Sequence, residues 1–399
     1  MPGFRVSRRE VLRGAGALAG LTWGGVRVPR PRPTGGPRPR RCDELWSLPL
    51  PEPTSLRPVL AGGRVYVGVR EEFLALDAGT GRRVWQQPLP RTTRGGWTAV
   101  AAGHVALMHW HSSGGKPKRP LTYLRILDPP AGTVRWEQRV YRTRSASQRR
   151  VGVFGAHAVT TICTGPDAYR VSAYRLADGT RDWSSGRHAL PGGPPAPGPA
   201  RLLLAAVPEG RTAVLLDLAT GRPSWVRRDL ALTERGAAVD LGTHLFATTR
   251  PAAVPTAAAV PAVTRLDAAT GATGWQVGFG GAAVDVLAAA GGQVHIGVRG
   301  QGLHTRDAGT GGPRWHWPLP PGDLSLEQLA VGAGRVCVLS APPGGRPATL
   351  HILDATTGAP CAAPFPDVHQ GIAADDATLV FQTDDPQTGA TRLLAVALA

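Results

Sequence analysis

Asp77-Ala78-Gly79-Thr80-Gly81-Arg82-Arg83-Val84-Trp85 orders this chain, because it returns. Asp217 to Trp225, Asp267 to Trp275 and Asp307 to Trp315 repeat it with the same internal spacing. Asp128 to Trp136 does so with Ala131 in the Thr place. A looser copy ends at Trp183, with Arg175 in the Asp place and Asp178 in the Thr place. A seventh copy, Asp354 to Gly358, keeps the turn but has Cys361 and Ala362 where a Trp is expected. The pattern is an apolar strand, an Asp-x-x-Thr-Gly turn, then Trp four residues past the Gly. Self-similarity at a regular period outranks local signals in fixing a fold.

The chemistry of the repeat is structural. The carboxylates of Asp77, Asp128, Asp217, Asp267, Asp307 and Asp354 are placed to accept backbone N–H bonds from two and three residues on, which closes each turn. Gly81, Gly132, Gly179, Gly221, Gly271, Gly311 and Gly358 allow the positive φ that the reversal needs. Trp46, Trp85, Trp136, Trp183, Trp225, Trp275 and Trp315 then bring a large apolar surface and one N–H donor each. Aromatic residues repeated this regularly predict packing between units rather than substrate binding.

A second recurring feature sets the count. Eight β-rich runs begin at Arg64, His104, His157, Arg201, His244, Gln293, Arg335 and Thr378, and each leads through a second run toward an Asp-turn. With a small-residue strand before and the Trp strand after, each unit predicts a four-stranded antiparallel sheet. The last unit stops at Leu393–Ala399, where its third strand should end, while Glu44–Leu48 is a fourth strand with no three before it. The two remnants together make one period. The expected fold is therefore all-β, an eight-bladed propeller whose first and last strands pair in one blade and so leave no open sheet edge.

Charge and cysteine usage limit the function classes. The formal net charge is +17, but residues 1–41 hold ten Arg and one Glu. More than half of the excess thus lies in a leader and the rest is scattered, so a nucleic-acid interface is not expected. Ser7-Arg8-Arg9-Glu10-Val11-Leu12-Arg13 and the uncharged run behind it resemble a twin-arginine export signal, too short and Gly-rich for a membrane span. The expected division is a signal region over 1–26, a Pro/Arg-rich linker over 27–42 and the propeller over 43–399. Cys42, Cys163, Cys337 and Cys361 form no CxxC or Cys/His grouping, so no zinc site is expected. Export would permit a disulfide among them, and spacing does not select a pair.

Few other residues invite chemistry. His109 and His111 share a strand face, yet no nearby carboxylate in sequence supports a metal, and a surface or blade-edge pair is expected. His104, His157 and His244 occupy one repeat position and are expected to flank turns. Asp375-Asp376 and Asp384-Asp385 are expected to be loop carboxylates, with nothing further to support calcium. No Ser-His-Asp or Cys-His grouping follows from spacing.

The Asp-x-x-Thr-Gly-x-x-x-Trp turn resembles the quinoprotein-type, or PQQ-like, β-propeller repeat over about 43–399. That resemblance implies each Trp docks on the neighbouring blade. The family mixes quinone-dependent dehydrogenases, envelope scaffold proteins and ligand-sensing extracellular domains, so it implies the fold more than an activity. Its dehydrogenases hold calcium with Glu, Asn and Asp, and many carry two adjacent Cys beside the quinone; this chain has no Asn and no adjacent Cys. The expectation is a non-catalytic, monomeric binding or scaffold protein of the cell envelope, with no catalytic or metal residue and no cofactor. Its partner would be a protein or small ligand met through face loops or the central channel. A PQQ-dependent dehydrogenase with calcium is the alternative, and a lyase or hydrolase built on one face is a third.

Overall fold

The computed structural model describes residues 42–398, except 51–55, 70, 91–92, 112–120, 143–148, 166–167, 190–200, 207–211, 233–237, 241–242, 252–259, 345–347, 370 and 386–387. The export-signal and linker readings over 1–41 lie outside the described residues. So do most of the long connections at 112–120, 139–150, 186–199 and 251–261.

Every described regular element is a strand. β1 (Glu44–Pro49) comes first. Blade 1 is β2 (Leu56–Ala61), β3 (Arg64–Val69), β4 (Glu72–Asp77) and β5 (Arg83–Pro88), and blade 2 is β6 (Thr93–Ala101), β7 (His104–His111), β8 (Leu121–Leu127) and β9 (Val134–Arg142). Blade 3 is β10 (Arg149–Phe154), β11 (His157–Gly165), β12 (Ala168–Arg175) and β13 (Arg181–Ala189), and blade 4 shows β14 (Arg201–Ala206), β15 (Thr212–Asp217) and β16 (Pro223–Arg227). Blade 5 has its innermost strand in two pieces, β17 (Leu230–Leu232) and β18 (Ala238–Asp240), both on β19 (His244–Pro251), followed by β20 (Ala262–Asp267) and β21 (Thr273–Gly278). Blade 6 is β22 (Val284–Ala290), β23 (Gln293–Val298), β24 (Gly302–Asp307) and β25 (Pro313–Pro318). Blade 7 is β26 (Ser325–Gly332), β27 (Arg335–Ala341), β28 (Ala348–Asp354) and β29 (Phe365–Val368). Blade 8 is β30 (Ala373–Ala374), β31 (Thr378–Asp384), β32 (Thr391–Ala397) and, from the other end of the chain, β1.

The eight anticipated runs are the second strands of the eight blades, and each begins at the anticipated residue. Three blades depart from four regular strands: blade 4 shows three among the described residues, the innermost strand of blade 5 is in two pieces, and that of blade 8 is two residues long. β1 pairs antiparallel with β32, Ser47 facing Leu394 and Leu48 facing Leu393. First strands of successive blades touch, β2 with β6, β6 with β10, β18 with β22, β22 with β26, β26 with β30, and β30 with β2. Among the described residues the series is interrupted at blade 4, and at its far end β30 of blade 8 meets β2 of blade 1.

The core explains why. Alternate residues of a strand point to opposite faces, and here both faces are covered by neighbouring blades. β3, β4 and β15 are accordingly buried over four consecutive residues rather than alternating. Each of eight apolar clusters joins two consecutive blades. Tyr66 and Phe73 of blade 1 meet Val105 and Leu107 of blade 2, and Cys337 and Leu339 of blade 7 meet Leu379 and Phe381 of blade 8. The eighth cluster joins Trp46, Val380 and Leu393 of blade 8 to Val65 and Val67 of blade 1. At about 25 cal/mol per Å² of apolar surface removed from water, these clusters dominate the stabilisation.

Candidate functional site

The repeated motif performs docking. In blade 1 the Asp77 carboxylate accepts from the Thr80 N–H at 2.9 Å and the Thr80 hydroxyl at 2.7 Å. The Gly81 N–H donates to the Asp77 carbonyl at 2.9 Å. The same bonds close the turns at Asp217, Asp267, Asp307 and Asp354. The Thr80 hydroxyl bond first, then the Thr80 N–H, holds the Asp77 carboxyl below its ordinary range. In the looser copy Asp178 takes over and accepts from the Thr180 N–H at 2.8 Å.

Each Trp spends its N–H on the next blade. Trp46 donates to the Ala78 carbonyl at 2.7 Å, Trp85 to Pro129 at 2.7 Å, Trp136 to Leu176 at 2.9 Å and Trp183 to Leu218 at 2.9 Å. Trp225 donates to Ala268 at 3.2 Å, Trp275 to Ala308 at 3.1 Å and Trp315 to Ala355 at 2.9 Å. Every acceptor lies one residue past the first position of a turn. Every indole also lies against the glycine of that turn. A Cβ on Gly132 would come within 2.5 Å of Trp85, and one on Gly221 within 2.5 Å of Trp183. The glycine is required twice, by φ of +70° at Gly132 and by the ring above it.

The histidines correct part of the sequence analysis. His109 is fully buried, not at a surface, and its Nε2 lies 3.1 Å from Glu137 Oε1. Glu137, 28 residues away in sequence, is the carboxylate that spacing could not supply. Arg125 bonds the same carboxylate at 2.9 Å and the Pro88 carbonyl of blade 1 at 2.9 Å. His109 first, with Arg125, holds the Glu137 carboxyl below its usual range. The His111 side chain lies outside the described residues. His104, His157 and His244 do flank turns, against Arg135, Asp182 and Arg265.

The loop carboxylates are partnered too. Asp375 accepts from the Ala377 and Thr378 N–H groups, and Asp384 lies 2.7 Å from His369 Nε2 and 3.1 Å from the Thr391 hydroxyl. Asp385 opens an eighth Asp-x-x-Thr-Gly turn, with the Thr388 N–H on its carboxylate and the Gly389 N–H on its carbonyl. The sequence analysis passed over it, although the spacing was legible, because it joins the second and third strands of blade 8 instead of the third and fourth.

A Ser, His and Asp do meet in blade 7. The Ser340 hydroxyl donates to Asp323 Oδ2 at 2.5 Å and lies 3.0 Å from His351 Nε2. Serine is central in this chain, whereas a nucleophilic relay puts histidine between serine and carboxylate. Ser340 is fully buried, and burial holds the His351 ring below its ordinary pKa. The group ties strands together and is not set up to attack a substrate.

One cleft of about 260 Å³ opens between blades 7 and 8, lined by Cys42, Glu44, Phe365, Asp367, Asp384 and Arg392 among others. It lies at the junction without a docking Trp. Its mixed walls suit a small polar group or a partner's side chain. Among the described residues no three His, Cys, Asp or Glu side chains converge as metal ligands.

Residues 42–227 match the family described as outer membrane protein assembly factor BamB, a PQQ-type repeat family. The seven docked turns extend the same repeat beyond the matched residues. BamB from Moraxella catarrhalis is 14% identical, with a TM-score of 0.57 over 89% of this chain and 99% of its own. The computationally designed Ika8 protein is 14% identical, with a TM-score of 0.58 over 88% of this chain and 99% of its own. Quinohemoprotein alcohol dehydrogenase from Comamonas testosteroni is 13% identical, with a TM-score of 0.53 over 90% of this chain and 76% of its own. These likenesses establish the fold. None of the curated proteins matches the sequence.

Proposed function

We propose that this protein is a non-catalytic binding platform of the cell envelope, exported by the signal at Ser7–Arg13 and engaging a protein or small ligand through its face loops and channel. The carrying observation is that the repeated polar residues are consumed in docking. The Asp and Thr of each regular turn bond one another, and each repeat Trp bonds the next blade. What varies among blades is the length of the connections, and loops on a rigid scaffold are where recognition concentrates. The match of residues 42–227 to an envelope assembly family supports a protein partner there.

Two substitutions and one set of loop deletions test this. Arg8→Lys with Arg9→Lys should hold the protein inside the cell without altering the purified propeller. Cross-linking in intact envelopes should capture a partner that is lost when the connections are shortened within 112–120, 143–148, 190–199 and 252–261, outside the strands. Export of the double variant, or capture by the loop-shortened protein, would overturn the corresponding half.

The fold shared with a quinohemoprotein alcohol dehydrogenase keeps a second reading, an exported PQQ-dependent dehydrogenase. Soaking with PQQ and calcium distinguishes the two. Quinone absorbance retained through desalting, with dye reduction by an alcohol, would favour the enzyme.

A further inference from the structure

Seven of the eight blade junctions carry a Trp against a Gly; the junction between blades 7 and 8 carries two cysteines. Register places the first. In blade 1, Leu76 faces Arg83 and Ala75 faces Trp85, with a bulge that skips Val84. In blade 7, Leu353 faces Pro360, and the next residue, Cys361, donates its N–H to the Ile352 carbonyl at 2.8 Å. Ile352 is the counterpart of Ala75. Counted from its turn, Ala362 fills the Trp place and is buried like Trp85, and Cys361 stands immediately before it, packed on the cluster of Ile352 and Cys337 that faces blade 8.

Backbone bonds place the second. The Asp77 N–H donates to the Arg82 carbonyl and the Ala78 N–H to the Gly63 carbonyl, both at 2.9 Å. In blade 8 the Ala397 N–H donates to the Asp43 carbonyl and the Leu398 N–H to the Ala377 carbonyl, also at 2.9 Å. Asp43 is therefore the counterpart of Arg82, and Cys42 stands where Gly81 stands.

The spacing of the docking pair is visible at the other junctions. A Cβ built on Gly81, Gly132, Gly221 or Gly311 lies 2.7–2.9 Å from the Cγ of its Trp. In a disulfide each Sγ lies roughly 3 Å from the partner's Cβ, given an S–S bond of about 2.04 Å. The dock thus brings two facing residues about as close as a disulfide requires. At the junction of blades 7 and 8, Cys42 holds the Gly place, Cys361 is the neighbour of the Trp place, and both pack on one cluster.

We propose that Cys42 and Cys361 form a disulfide that takes the place of the missing Trp–Gly dock and covalently fastens blade 8 to blade 7. Cys337 packs in the same cluster but is fully buried, whereas Cys42 and Cys361 are partly exposed and Cys42 lines the cleft. Cys163 belongs to β11, in blade 3. Burial first, and then the neighbouring Cys361, raises the Cys42 thiol; burial likewise raises that of Cys361. The thiolate is the attacking form, so the bond forms faster as pH rises.

The oxidant is a disulfide. One cysteine, as thiolate, attacks it and releases one thiol, giving a mixed disulfide. The other, after losing its proton, displaces the second thiol and closes the Cys42–Cys361 bond. Two protein thiols are oxidised, one external disulfide is reduced to two thiols, and protons balance. Occurrence in the cell rests on the export proposed above; formation in the purified chain does not.

Full-length reduced protein incubated with oxidised glutathione should lose two reactive thiols and yield, on non-reducing peptide mapping, one cross-link between the peptides holding Cys42 and Cys361. Its melting temperature should rise by roughly 5 °C over the reduced form. Cys42→Ser should abolish both changes. If that variant does not fold, the redox comparison on the wild-type chain decides alone. A stable glutathione adduct at Cys42 with Cys361 left free, a cross-link through Cys337 or Cys163, or an unchanged thiol count in the folded chain would each overturn the proposal.

Discussion

Trp225 lies so close to Gly271 of the next blade that a Cβ on that glycine would stand 2.8 Å from the indole. The glycine is also held at φ of +73°. Gly271→Ala should therefore destabilise the fold by about 2–4 kcal/mol, combining backbone strain with overpacking. Gly291 has φ of +56° and nothing within 4 Å of a Cβ. Its change to Ala should cost about 1 kcal/mol, the backbone contribution alone. Denaturant unfolding of both variants separates the two causes, and equal costs would refute the docking account.

Removing the indole tests the same contact from the other side. Trp225→Ala should cost about 3–5 kcal/mol, as for other buried aromatics. Trp225→Phe keeps most of the ring but leaves the Ala268 carbonyl without its donor, and should cost about 1–2 kcal/mol. A Phe variant as unstable as the Ala variant would mean that the hydrogen bond, and not the packing, holds the junction.

His295 gives the fold an acid limit. It is almost fully buried, its Nδ1 lies 2.8 Å from the Thr305 hydroxyl, and burial lowers its pKa from 6.5 to about 4. Above pH 6.5 the ring is neutral in both folded and unfolded chains, and the fold keeps its full stability. As pH falls from 6.5 toward 4, the unfolded chain takes up a proton that the folded chain refuses. Stability should drop there by up to about 1.4 kcal/mol per pH unit, then level off below pH 4 with respect to this group. His295→Gln should flatten that limb in unfolding measured from pH 7 to 4.

β1 fastens the ring. Removal of residues 42–50 takes away Trp46 and Leu50, both buried, and leaves β32 without its outer partner. The shortened chain should melt at lower temperature and with less cooperativity, and should associate through the exposed edge. Calorimetry with light scattering checks both. A cooperative transition at the wild-type temperature in a monomer contradicts the latch.

In the reduced chain the junction between blades 7 and 8 has no Trp, so amides of β29 and β30 should exchange faster than their counterparts elsewhere. Oxidation should slow them. Uniform protection around the ring, before and after oxidation, counts against both statements.

The scaffold was legible because its signals are local. Asp, Thr and Gly act within one turn, so spacing alone exposes them. The start of each second strand followed from the polar residue ahead of an apolar run. What escaped depends on contacts between distant residues. Glu137 reaches His109 across two strands, and Ser340 meets Asp323 and His351 from separate elements. The meeting of Cys42 and Cys361 on one cluster depends on strands from opposite ends of the chain lying side by side, which no residue type announces. The Asp385 turn was missed for another reason: its motif was present, but in a connection where the repeat does not put it.

The split turn between Ala397 and Cys42 means that the circle has no intrinsic beginning. Since Ala397 already bonds Asp43, one short Asp-x-x-Thr-Gly segment could replace the gap, and new termini could be opened at another hairpin such as Gly62-Gly63. A circular permutant of this kind would trade one interrupted blade for another. Comparing such permutants would show how much of the molecule's resilience resides in where the polypeptide is cut.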